Sequence, residues 1–194
     1  MSRPREVYQF KISLKGAKPP VWRRIQVPKS YTFWDLHVAI QDVMGWHDSH
    51  LHEFSIRNPK NGRKMAIGVP NYEFDSREVL QGWSNKILNY FKPDNKVASY
   101  VYDFGDYWEH RIEFEGVFPS ESSVEYPICL AGKRACPPED CGGIHAYQMI
   151  LENDHPMQEE YDWFEPDSFN KKEVVFSDPK ARFDQNFELI EDVE

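Results

Sequence analysis

Two segments of this chain alternate apolar and polar side chains so strictly that they constrain everything between them. In EVYQFKISL (6–14), Tyr8, Phe10, Ile12 and Leu14 fall on one side, and Gln9, Lys11 and Ser13 on the other. In WEHRIEFEGVF (108–118), Trp108, His110, Ile112 and Phe114 oppose Glu109, Arg111, Glu113 and Glu115. A period of two describes a strand with one buried face. The chain must therefore build a sheet that is packed on one side and wet on the other.

The neighbouring segments extend that sheet. KGAKPP (15–20) connects the first strand to VWRRIQVP (21–28), where Val21, Arg23, Ile25 and Val27 share a face and Pro28 ends the ladder. VASYVYD (97–103), the turn FGDY and the second alternating segment form a hairpin. Between them, Thr32 and Asp35 resemble a capping box that opens a helix carrying Phe33, Leu36, Ile40, Val43 and Met44, with Gly45 as its left-handed stop. HLHEFSIR (50–57) and KMAIGVP (64–70) read as strands around the turn NPKNGR. The order strand, strand, helix, strand is β-grasp-like.

Later segments are less regular. Residues 77–91 have a helical pattern weakened by Gly82. A cysteine-bearing loop follows Pro127 and enters a short helix over 142–153, with Ile144, Tyr147, Ile150 and Leu151 on one face and Asp140 at the N-cap position. A further helix is expected over 155–165. The expectation is one α+β domain over residues 1–194: a mixed, mainly antiparallel sheet with further hairpins and short C-terminal helices. Its core spans about 5–165, and an acidic extension over 166–194 is peripheral.

At 194 residues, 40% hydrophobic and 15% aromatic, the chain has ample apolar mass for a core. No run approaches the ~18 apolar residues of a membrane helix, and MSRPREVYQF lacks a signal peptide's apolar stretch. Three cysteines, an odd number, argue against a secreted disulfide framework. A cytoplasmic location is expected, with no membrane partner. Residues 1–100 hold 16 Lys+Arg and 9 Asp+Glu, a balance of +7, whereas residues 101–194 hold 7 and 23, a balance of −16. An overall charge of −9 repels a phosphate backbone, which disfavours nucleic acid as a partner.

Three stretches carry candidate chemistry. Cys129, Cys136 and Cys141 lie close in sequence with His145 one turn beyond, and three thiolates plus an imidazole would satisfy tetrahedral zinc. Their alternative role is as small apolar residues under a loop stiffened by Pro137 and Pro138. In YDFGDYWEH (102–110), Asp103, Asp106, Glu109 and His110 could hold a cation or act as acid and base, although the turn itself calls for Asp and Gly. In GWHDSHLHEF (45–54), His50 and His52 would point the same way from one strand, a metal-binding pattern, or line a strand edge. Glu139 and Asp140 add carboxylates. No GxSxG elbow, P-loop or dinucleotide fingerprint is present.

VWRRIQVP, LHVAIQDVMGW with HLHEF, YDFGDYWEH, and YPICLAGKRACPPEDCGG with AYQMIL occur in the order seen in the Ri-plasmid open-reading-frame-three-like family. The chain resembles that family over about residues 5 to 176. The resemblance implies a compact α+β fold and little about activity. Family members commonly carry a large aromatic where this chain has His145, so a shared zinc site would take its fourth ligand from His50 or His52. Some members are labelled transposon resolvases. The residues do not support that chemistry, because the acidic C-terminal half offers neither an activated serine among arginines nor a basic DNA-binding appendage.

The leading expectation is a non-enzymatic binding or adaptor module for a protein or peptide partner, with an association with mobile elements. It would use a surface of His50, His52, Asp103, Asp106, Trp108, His110, Glu139 and Asp140. A metal-dependent hydrolase built from the same histidines and aspartates is the alternative. Nucleic-acid binding through Arg23, Arg24, Arg57, Lys60, Arg63 and Lys64 comes third.

Overall fold

The two alternating segments are strands β1 (Glu6–Leu14) and β7 (Trp108–Pro119), and they lie side by side, antiparallel. Phe10 sits opposite Phe114 and Ile12 opposite Ile112. The structure, a computed structural model, describes residues 6–70 and 77–191. Outward from this central pair run β2 (Trp22–Pro28) and β8 (Ile128–Lys133) on one side. On the other run β6 (Val97–Tyr102), β3 (His52–Arg57), β4 (Lys64–Gly68) and β5 (Val79–Gln81). The eight strands form one sheet in the order β5-β4-β3-β6-β7-β1-β2-β8. Every pairing is antiparallel except β4 with β5. With three helices among the described residues, this is a mixed, mostly antiparallel α+β fold. The β-β-α-β start is present in element order, but β3 joins beyond β6, so two strands separate it from β1.

Helix α1 (Phe33–Met44) forms where the capping box places it. Thr32 Oγ1 accepts from Asp35 N at 3.2 Å, and the Asp35 carboxylate accepts from Thr32 N at 2.8 Å. Gly45, at φ +94°, closes it in the left-handed conformation that side chains resist. Its inner face presses Phe33, Leu36 and Ile40 onto the apolar side of the sheet. There the rings of Phe33, Phe54, Phe91, Phe10 and Phe114 meet at centroid distances of 4.9–6.1 Å. Each buried ring contributes ~1.5–3 kcal/mol of apolar transfer free energy. The other side of the sheet is wet, as the alternation requires. There Arg24 makes two bonds of 2.7 and 2.8 Å to Glu115, which also accepts from Gln9.

The outer face of α1 is covered by the C-terminal segment, which the sequence suggested was peripheral. Helix α3 (Pro179–Glu191) crosses α1 here. Trp34 donates to Pro179 O at 2.9 Å, and Phe183 packs edge-on to Trp34 at 5.5 Å. Asp42 accepts from Ser177 N at 2.7 Å and pairs with Arg182 at 2.8 Å. The sheet, α1 and this strap make three layers.

Other expectations are corrected. Residues 77–91 form β5 and two 3-10 turns, with no continuous helix. A Cβ at Gly82 would come within 3.4 Å of Gly68 O and Trp34 N, so the glycine serves a close approach of backbones. Cys129 belongs to strand β8, which pairs with β2, and not to a loop. Residues 155–165 contain only a 3-10 turn at Gln158–Tyr161. No helix among the described residues is long and apolar enough to cross a membrane.

Candidate functional site: three loops tied at one end of the sheet

Three loops meet at the end of the sheet where β6 turns into β7. They are residues 45–51 after α1, residues 103–107 between β6 and β7, and residues 134–142, which lead from β8 into helix α2 (Gly143–Glu152). Hydrogen bonds cross between all of them. Asp103 N donates to Leu51 O at 2.9 Å, tying the first loop to the second. Gly142 N donates to Asp106 Oδ2 at 3.0 Å, tying the second to the third. His50 Nε2 lies 2.8 Å from Asp140 Oδ1, and Trp46 Nε1 donates to Pro137 O at 3.2 Å, tying the first to the third. Tyr102 sits at the centre. Its hydroxyl accepts from Ser49 N at 3.0 Å and donates to Glu139 Oε1. Burial, then the Glu139 carboxylate, pushes the Tyr102 phenol far up, so it remains a neutral donor.

The residues singled out in sequence divide between this platform and the core. His50, Asp103, Asp106, Glu139 and Asp140 come together at the loops. His52, Trp108 and His110 do not: they are 3%, 1% and 0% exposed and belong to the packed interior. The pairing of His50 with His52 fails because β3 begins only at His52. His50 precedes the strand and escapes its alternation. His52 stacks on His37 with ring centroids 3.4 Å apart. Burial, then the neighbouring His37, holds its pKa well below the usual imidazole value. His110 donates from Nδ1 to Trp108 O, and burial lowers its pKa to about 4. Neither histidine is placed to exchange protons with a substrate. Asp140 is also not the helix cap expected of it. Gly142, at φ +94°, takes the cap position, and Asp106 from the neighbouring loop satisfies its N–H.

The cysteines are not assembled for zinc. Among the described residues, the one set of three His, Cys, Asp or Glu ligand atoms mutually within 4.8 Å is His50, Asp103 and Asp140. His145 is exposed on α2, and His52 is committed to the His37 stack. Burial pushes all three thiols up, Cys141 to about 12. Beside Cys129 and Cys136 lies the Arg23 guanidinium, 1% exposed, which would repel a dication. Arg23 donates to Val43 O, Trp22 O and Lys133 O at 2.9–3.1 Å and stacks under Phe169, 3.8 Å from the ring centroid. With Arg23 buried and Arg24 paired to Glu115, the proposed basic face keeps only Arg57, Lys60, Arg63 and Lys64 at the exposed β3–β4 hairpin.

Two features were missed in sequence. The first is the aromatic floor under the loops, where Trp46 lies 5.0 Å from Tyr102, 5.9 Å from Trp108 and 5.3 Å from His110. The second is a buried polar chain from Asp48 Oδ1 to His37 Nε2 (2.7 Å), then from His37 Nδ1 to the Tyr100 hydroxyl (2.9 Å), which also accepts from Gln41. One signal was available. His37 and Gln41 are one turn apart, inside the apolar stripe of α1, and polar groups so placed need buried partners.

Three large apolar side chains stand exposed on the same loops: Leu51 (42%), Phe104 (51%) and Tyr107 (58%). They sit on the loops that carry or border Asp103, Asp106 and Asp140.

The model of the plasmid pRiA4b ORF-3-like protein family matches residues 6–178. The chain is 35% identical over 146 residues to uncharacterized protein y4hQ of Sinorhizobium fredii (strain NBRC 101917 / NGR234), covering 75% of this chain and 72% of that protein. It also matches the crystal structure of MM3350, a protein of unknown function from Methanosarcina mazei Go1, with a TM-score of 0.81 and 44% identity. That match covers 90% of this chain and all of the other. The fold and the ordered motifs along nearly the whole chain agree with these matches: the chain belongs to the plasmid pRiA4b ORF-3-like family.

Proposed function

We propose that the loop platform is the docking surface of a non-enzymatic binding or adaptor module. Its partner is a protein segment rich in Lys and Arg that also carries an aliphatic or aromatic anchor. The observation that carries this reading is the exposure of Leu51, Phe104 and Tyr107 beside the carboxylates of Asp106 and Asp140 on cross-tied loops. Exposed apolar anchors ringed by charge are the composition of interface hot spots. Loops already fixed by hydrogen bonds lose little entropy on binding. The three free cysteines suit a reducing, cytoplasmic setting, and the plasmid in the family's name suits association with mobile elements.

Selection from a random peptide library tests the reading. Binders enriched in Lys or Arg next to Leu, Phe or Trp are expected. Phe104→Ala with Tyr107→Ala should weaken the best of them at least tenfold, as loss of a hot spot does. Raising salt should weaken them further. Acidic binders, or binders indifferent to both substitutions, would contradict it.

A further inference from the structure

We propose that a cleft bordering the loop platform binds a small quaternary ammonium compound. The proposal does not rest on the peptide reading. Three segments enclose the cleft: residues 44–47 at the end of α1, residues 135–139 leading away from β8, and residues 163–168. It holds about 530 Å³, a volume typical of small-molecule sites. Three aromatic rings line it. Trp46 is 5% exposed and belongs to the core, whereas Trp163 is 68% exposed. The planes of Trp163 and Phe164 stand 82° apart with centroids separated by 5.9 Å, so these two rings form a corner.

Charge selects the sign of the ligand. No Lys or Arg lines the cleft, and residues 135–170 hold nine Asp+Glu without one Lys or Arg. Glu139 and Glu165 are the lining carboxylates. The Glu139 side chain is 14% exposed, and its hydrogen-bond partners are uncharged: the Tyr102 hydroxyl on Oε1, and His47 N on Oε2 at 2.9 Å. The His47 imidazole stands 4.0 Å from Oε2 but is 79% exposed to solvent. Such a cleft repels an anion and draws in a cation.

Hydrogen bonding selects the kind of cation. Both Glu139 oxygens already accept a hydrogen bond, which leaves the exposed Glu165 as the one lining carboxylate without a donor among the described residues. A primary ammonium carries three donors and would leave most of them unpaired on losing its water. A quaternary ammonium has no N–H to satisfy. It is attracted instead to aromatic faces within about 6 Å of its charge. An exposed indole beside a second ring, in a negative field, meets that need without hydrogen bonds, and the bound cation would cover the indole.

Choline is the probe, titrated against the full-length chain without any peptide. Proton NMR reads its N-methyl signal, which ring currents shift and slow tumbling broadens on binding. Saturable binding with a Kd of about 1 mM or tighter is expected. Two comparison compounds should each bind about tenfold more weakly or worse: ethanolamine, a primary amine, and the neutral isostere with tert-butyl in place of trimethylammonium. Trp163→Ala should weaken choline about tenfold with circular dichroism unchanged, since the side chain is mostly in solvent. Trp163→Phe, which keeps a ring, should restore part of the affinity. Phe104→Ala with Tyr107→Ala should leave choline binding intact, which separates this site from the peptide surface. No saturable binding at that level, equal binding of either comparison compound, or binding that survives Trp163→Ala would each overturn the proposal. Any such failure leaves the peptide reading standing, since no peptide enters the measurement.

Discussion

Arg23 shows how one residue can serve the fold while looking like function. It alternates with Val21, Ile25 and Val27 on the buried face of β2, and its charge is neutralised by three backbone carbonyls and a ring. Arg23→Met would leave those carbonyls without a donor at the junction of β2, α1 and β8. We expect a loss of about 3 kcal/mol, typical of a buried charged group removed from its partners, read as a lower urea midpoint at unchanged slope. Tyr102 is the corresponding residue for the loops. Tyr102→Phe removes one acceptor from Ser49 N and one donor from Glu139, and should cost about 1–2 kcal/mol. It should also speed amide hydrogen exchange in residues 46–51 relative to β1. Asp103, Asp106 and Asp140 stood out in the sequence because they sit in turns, and the sequence did not say whether those loops meet. It could not separate His50 from His52, because that depended on the strand beginning two residues later than the pattern suggested.

Elements were legible to the extent that their own side chains determine them. β1, β7 and α1 carry strict periods and caps, and they appear where the sequence puts them. Strand β8 was hidden because its neighbour β2 lies a hundred residues away, and ICLAGK lacks alternation. Helix α3 was hidden because its segment is acidic and weakly patterned, and among its described residues Pro179, Arg182 and Phe183 meet α1. Its contribution is nonetheless structural. Deleting residues 179–194 uncovers Trp34 and leaves Asp42, with a side chain 5% exposed, without its guanidinium. A loss of about 3 kcal/mol lowers the melting temperature of a chain this size by roughly 6–12 °C. An unchanged melting temperature would show that the strap is dispensable.

For the molecule as a whole, buried neutral histidines set the acid limb of stability. His110 titrates at about 4 when folded, against ~6.5 in an unfolded chain. Between those values the unfolded state binds the proton more readily. This contribution is therefore complete above about pH 6.5 and is lost as pH falls toward 4, amounting to about 3 kcal/mol. His52 acts in the same direction. Denaturant melts between pH 7 and 4 should show this decline, and His110→Phe should flatten it. The account's central claim is the location of the working surface. Two-dimensional amide NMR of the isotopically labelled chain, titrated with the best selected basic peptide, tests it most directly. The account predicts shifts concentrated in residues 47–51, 103–107 and 139–142. Shifts centred on the β3–β4 hairpin at residues 57–64, or a library that yields no such peptide, would contradict it.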